Sequence, residues 1–299
     1  MNISRQAHKL LLVSLALSAV ALRPTQAQTI FSTGFEAPGY SATATSTQTN
    51  PYTGSPYTAG SGALINSSQG WLPLWYTDPP AQAPTNFENA VNAATIQTSV
   101  VKSGTQALKV DGVTANQIVF GASQDLPIST AAGIYEFSFD MLASGASVTN
   151  TGQWGLYLLD SNFNAIATLG FYGGFGGLVG AGTATDEYFA PGPSYNTWAN
   201  YKLTLNLTAK TMSVALNGAP VSSMQGLAIS GYSTSSTLTM AVGGQVPVAA
   251  TPFYTTTPER AYFDNLTVSS APEPGSLVLL ALGGTLVIVQ RRRKTIVGS

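Results

Sequence analysis

The sequence predicts an all-β protein, an antiparallel sandwich or barrel over residues 28–270, set between two apolar ends. Three observations carry this reading. Charged residues make up only 8% of the chain and hydrophobic ones 44%, enough to bury a sizeable core. Thr, Tyr, Val and Phe are abundant, which favours strands over helices. No long segment between residues 29 and 270 repeats its apolar positions at helical spacing, and short alternating runs recur instead, divided by Gly, Asn, Pro and Ser.

The expected strands follow in order. Residues 107–110 come after the turn-like Ser103-Gly104, and residues 134–141 alternate for eight positions. Residues 154–159 lead into the turn Asp160-Ser161-Asn162, and residues 165–171 return from it. Residues 201–207 alternate again, and residues 212–216 run into Asn217-Gly218, a strong hairpin signal because both positions of a type I′ turn need positive φ. Residues 238–242 and 261–268 complete the set. The stretch 41–68, rich in Thr, Ser, Gly and Tyr, reads as a long loop, as does residues 70–80.

The two ends read as processing signals. Arg5 and Lys9 precede an apolar run over residues 10–22, and Thr25-Gln26-Ala27 follows with small residues in the cleavage positions. This is the pattern of a secretory signal peptide over residues 1–27, with cleavage after Ala27. An uncleaved anchor is the alternative, but the run is shorter than the ~20 residues a span needs. At the other end, over residues 271–299, Pro272-Glu273-Pro274 precedes an apolar segment, residues 276–289, expected to cross the membrane as a helix. Arg291, Arg292, Arg293 and Lys294 then hold the end of the chain on the cytoplasmic side.

A short motif, a short helix and arginines at the end of an exported chain resemble the PEP-CTERM sorting signal. The resemblance implies an exosortase as partner, a membrane protease that recognises the motif and removes the tail. It also implies an inner-membrane precursor whose product lies at the cell surface, in the outer envelope or outside the cell. A plain C-terminal anchor is the alternative reading of the same residues.

Composition excludes several chemistries. There is no cysteine, and the one histidine, His8, lies in the expected signal peptide. The exported domain therefore has no disulfide, no thiol nucleophile, no imidazole base and no ordinary zinc site. Residues 28–270 hold five basic residues against twelve acidic ones, a net charge of −7. Without a basic patch to displace phosphate counterions, nucleic acid is not an expected partner.

Several segments resemble the concanavalin A-like (laminin G-like) fold. They are residues 30–36, Gln69-Gly70-Trp71, residues 103–110, residues 198–203, the strand ending at Asn217-Gly218, and Phe263-Asp264-Asn265-Leu266-Thr267-Val268. The resemblance implies a jelly-roll β-sandwich of the kind found in lectins, glucanases and carbohydrate-binding modules. In such sandwiches the first and last strands pair, which would bring Glu36 to Asp264. Two neighbouring carboxylates suit a hard cation with oxygen ligands, so structural calcium at Glu36 and Asp264 is expected. The alternative leaves Asp264 at the start of the last strand and Glu36 in solvent.

A glycosidase needs two carboxylates across the scissile bond, and the Glu-x-Asp-x-x-Glu strand signature of glucanases is absent. Glu136 and Asp140, spaced i, i+4 on a strand, would stand about 13 Å apart, too far for retaining chemistry. The expectation is a protein without catalytic activity, with a hydrolase or lyase on the same fold as the alternative. Sugar binding needs only an aromatic platform with polar groups around it. Trp71, Trp75 and Tyr76, in the expected loop, are its candidates, and an extracellular polysaccharide is the expected ligand.

Overall fold

The computed structural model describes residues 27–49, 55–64, 69–77, 93–111, 117–144, 153–173, 178–183, 185–245 and 260–271. The expected signal segment before Ala27 and the tail carrying Pro272, Glu273, Pro274, Arg291, Arg292 and Arg293 lie outside the described residues. The chain divides into a unit over Thr29–Ser269 and one formed by Met1–Gln28 with Ser270–Ser299. Among the described residues, no helix is long and apolar enough to cross a membrane.

Eighteen strands are described, in two large sheets and a hairpin. The nine-stranded sheet holds β1 (Gln28–Thr33), β5 (Ala94–Gln97), β6 (Ala107–Asp111), β8 (Ile134–Ser144), β13 (Ala199–Asn206), β14 (Thr211–Leu216), β15 (Ala219–Pro220), β16 (Leu227–Ala228) and β18 (Arg260–Ser270). Its order is β15-β14-β13-β8-β18-β6-β5, with β1 also on β18 and β16 also on β14. The seven-stranded sheet holds β4 (Leu72–Thr77), β7 (Gln117–Ser129), β9 (Gln153–Asp160), β10 (Ala165–Tyr172), β11 (Leu178–Gly182), β12 (Glu187–Pro191) and β17 (Thr237–Gln245). Its order is β12-β11-β10-β9-β17-β7-β4. The hairpin joins β2 (Ser46–Thr49) and β3 (Pro56–Ala59).

One hydrophobic cluster draws on both large sheets, which makes the arrangement a sandwich. Strand β13 shows the cause at residue level, since its side chains alternate buried and half-buried along all eight positions. On the core side Tyr201 lies opposite Phe139 and stacks on it at 5.4 Å, with Phe263 on the far side of Phe139 at 5.9 Å. This ladder across three strands is fully buried, and each ring stabilises the fold by about 1.5–3 kcal/mol through burial alone. Asn217 and Gly218 take φ of 50° and 80° and join β14 to β15 in the expected two-residue turn. The expected turn after β9 is also present, with the buried Asp160 accepting hydrogen bonds from the backbone of Asn162, Asn164 and Ser233.

The structure adds strands where loops were expected. Residues 72–77 form β4, a hairpin sits within 41–68, and β11 and β12 add two strands that no alternating run announces. Strand β7 escaped the alternation test because Gly121, Asp125 and Pro127 interrupt it. The pairing of β7 with β17 slips between Thr237 and Leu238, and Pro127 falls in that slip, where its missing N–H is not required by the ladder.

The seven-stranded sheet is sensitive to bulk at two of its glycines. A Cβ on Gly155 would run into the carbonyl oxygen of Leu169, and one on Gly170 into that of Trp154. Gly170→Ala should therefore lower stability by about 2 kcal/mol, read as a lower urea midpoint; an unchanged midpoint would contradict this packing.

Candidate functional site

Trp71 is not a ligand platform. It is 2% exposed and lies in the core, against Phe31 at 6.1 Å and Phe35 at 6.5 Å, with its indole N–H donating to the Tyr40 hydroxyl at 3.2 Å. Burial with a partnered N–H is the ordinary fate of a Trp at a sandwich edge, and sequence alone does not separate it from an exposed one. Trp75 and Tyr76 lie in β4, opposite Phe120 and Val119, and their side chains are outside the described residues.

Glu36 and Asp264 do converge. Asp264 Oδ1 and Glu36 Cγ both lie within 4 Å of the place a Cβ would take on Gly34. Their oxygens, however, face N–H and O–H donors of one loop. Glu36 Oε1 accepts from the backbone of Thr105 at 2.8 Å and Gln106 at 3.1 Å, and Oε2 from the Thr105 hydroxyl at 2.7 Å. Asp264 Oδ2 accepts from the backbone of Lys102 at 3.1 Å and Ser103 at 2.9 Å, and Oδ1 from Asn265 at 2.8 Å. A cation needs oxygens directed at it, and this donor set supplies hydrogens, so the residues do not fit the expected calcium. Among the described residues no three His, Asp or Glu side chains gather for a metal. The pair serves instead as a double clamp on residues 102–106.

The two clamps differ in charge behaviour. Partial burial acts upward on Glu36, but the hydrogen bonds from Thr105 and Gln106 outweigh it and hold the carboxyl below its ordinary value of 4.5. Asp264 is fully buried; that desolvation outweighs its amide donors and raises its carboxyl, and Asp140 adds to the rise. Asp140 itself accepts from the side chains of Asn200 and Asn265, and Glu136 pairs with Lys202 at 2.8 Å. The two carboxylates considered for hydrolysis are thus held in local contacts.

The most distinctive arrangement lies on the face of the seven-stranded sheet turned away from the core. Gly121 pairs with Gly243, Gly243 with Gly155, Gly155 with Gly170, and Gly170 with Gly180. Five glycines thus form a row across five adjacent strands, ending opposite Leu74 on β4 and Phe189 on β12. Their neighbours along the strands, such as Leu156, Leu169 and Val179, are core residues, which puts the row on the outer face. Tyr157 and Thr168 face each other on one side of it, and Gln153 and Tyr172 on the other. Between them is a partly open cleft of about 10 Å³, room for one water-sized group.

Tyr172 is itself buried, 6% exposed, and packs edge-on at 5.0 Å against Phe189, which is 38% exposed. Burial pushes the Tyr172 phenol up to about 12, with Glu187 adding to the rise against a hydrogen bond with Thr168. Burial raises Tyr157 further, helped by Tyr172 and Glu187. Both phenols are therefore protonated at neutral pH and can donate hydrogen bonds. Sequence reasoning passed over this row. The available sign was a single glycine inside each of several strand-like runs, which marks a close backbone approach, but only the register brings the five together.

No protein-family model matches the sequence, and no curated protein matches it. Among solved structures, Cellulose induced protein, Cip1 is similar at 14% identity, over 60% of this chain and 85% of that one, with a TM-score of 0.44. A sialidase is similar at 12% identity, over 77% of this chain and 19% of that one, with a TM-score of 0.46. The botulinum neurotoxin serotype C1 binding domain is similar at 10% identity, over 86% of this chain and 52% of that one, with a TM-score of 0.46. Likeness at this level carries nothing about ligand or activity.

Two outcomes follow from the carboxylate clamp. EDTA should leave the melting temperature unchanged, and a clear fall would restore calcium to Glu36 and Asp264. Because Glu36 is held low, its contribution is present above about pH 4.5 and lost as pH falls through its lowered folded value. Glu36→Gln should flatten the acid-side loss of stability below pH 4.5, and an unaltered slope would contradict the clamp.

Proposed function

We propose that this chain is an exported cell-envelope or extracellular-matrix protein, structural or adhesive in role, that binds polysaccharide and does not turn it over. Its jelly-roll sandwich presents the outer face of the seven-stranded sheet to the ligand. The carrying observation is the glycine row with its border of Tyr157, Thr168, Gln153 and Tyr172. Glycine lets a polymer approach the backbone, aromatic rings supply apolar faces for sugars, and the hydroxyl and amide groups supply hydrogen bonds.

The arginine-flanked tail after Pro272-Glu273-Pro274 supports release by an exosortase, with the membrane as a partner of the precursor only. Against a hydrolase or lyase stand the ion-paired Glu136 and the two protonated phenols. Electrophoresis of the purified chain through gels containing soluble polysaccharides tests the binding. At least one glycan should retard the chain, Tyr172→Ala should weaken that retardation about tenfold or more, and no reducing sugar should be released. Retardation untouched by Tyr157→Ala and Tyr172→Ala would put the ligand elsewhere. Release of reducing sugar would make the chain an enzyme.

A further inference from the structure

The charges of the domain are divided between its two sheets. All five basic residues of 28–270 belong to the nine-stranded sheet or its loops. Lys109 lies on β6, Lys202 on β13 and Arg260 on β18, while Lys102 precedes β6 and Lys210 lies in the turn after β13. Three of them are already paired, Lys109 and Arg260 with Asp111 and Lys202 with Glu136. The seven strands of the other sheet contain no Lys or Arg, and they carry Asp125, Asp160 and Glu187. Glu187 stands near enough to Tyr157 and Tyr172 to raise both phenols.

We infer that the ligand of the glycine-row face is an uncharged polysaccharide, one hydroxyl of which enters the cleft over Gly155 and Gly170. This rests on the binding reading above and narrows it to a ligand class. A carboxylate or sulfate brought to this face would lose hydration, meet no cation and lie near Glu187. A neutral hydroxyl meets what it needs: phenolic donors from Tyr157 and Tyr172, and groups that both donate and accept from Thr168 and Gln153. The cleft's volume of about 10 Å³ admits a group of that size. The row spans five strands at ~4.8 Å each, about 19 Å from end to end, but its glycines are buried, so the polymer would meet this face at the cleft and its border.

Matched polymers test this, with the purified full chain run through gels containing hydroxyethylcellulose or carboxymethylcellulose, and dextran or dextran sulfate. At least one neutral member should retard the chain, and its anionic partner should bind about tenfold or more weakly. The double variant Tyr157→Phe with Tyr172→Phe keeps both rings and should lose at least most of the neutral binding, with melting temperature as the check on folding. Glu187→Lys should raise binding of the anionic partner. Equal or tighter binding of the anionic member by the unaltered chain overturns the ligand class and leaves the binding reading standing. Neutral binding unchanged in the folded double variant overturns the hydroxyl cleft. No retardation by any polymer overturns the binding reading, and the ligand class falls with it.

Discussion

The seven-stranded sheet is organised around a level at which four of the five glycines in the row have no room for a methyl group. At Gly121, Gly155 and Gly170 a Cβ would strike the backbone of the adjacent strand, and at Gly180 it would strike the Tyr172 ring. Adjacent strands approach there more closely than a methyl group permits, and the glycines lie buried beneath the side chains that border them. The same constraint fixes register, because a slip of one residue would place a core side chain such as Leu156 or Leu169 in the row. The cleft between Tyr157, Thr168, Gln153 and Tyr172 is a consequence of that level, so the packing of the sheet and its candidate site are one feature.

The opposite sheet solves a different problem. Its core face carries the Tyr201–Phe139–Phe263 ladder, while Lys109, Lys202 and Arg260 on its strands are held in ion pairs. Such pairs add little stability, about 0–1 kcal/mol each. Their location leaves the strands of the other sheet without Lys or Arg. Where the first and last strands pair, Glu36 and Asp264 bind loop 102–106 through five hydrogen bonds, tying the ends of the fold to a segment far from both in sequence.

Much of the fold was legible because local rules coincide with burial. Residues 134–141 and 201–207 alternate cleanly, and Asn217-Gly218 names its own turn. Strands β7, β11 and β12 were not legible, since Gly121, Gly180 and Pro127 weaken the local signal and only cross-strand pairing supplies it. The site was less legible than the fold. Proximity of Glu36 to Asp264 followed from strand pairing, but what fills the space between them depends on loop 102–106, whose amides the sequence does not place. Trp71 was expected at a surface for the same reason, because its burial depends on Phe31, Phe35 and Tyr40 arriving from the first strand and the turn after it. The glycine row is a property of register and is invisible to any single strand.

Hydrogen exchange of the full chain, with and without a neutral oligosaccharide cut from whichever polymer it binds, tests the central claim most directly. Slowed exchange should concentrate at residues 153–157 and 168–172, where the row crosses β9 and β10. Slowing confined to β8, β13 and β14 in the other sheet would place the ligand on the wrong face and contradict the account.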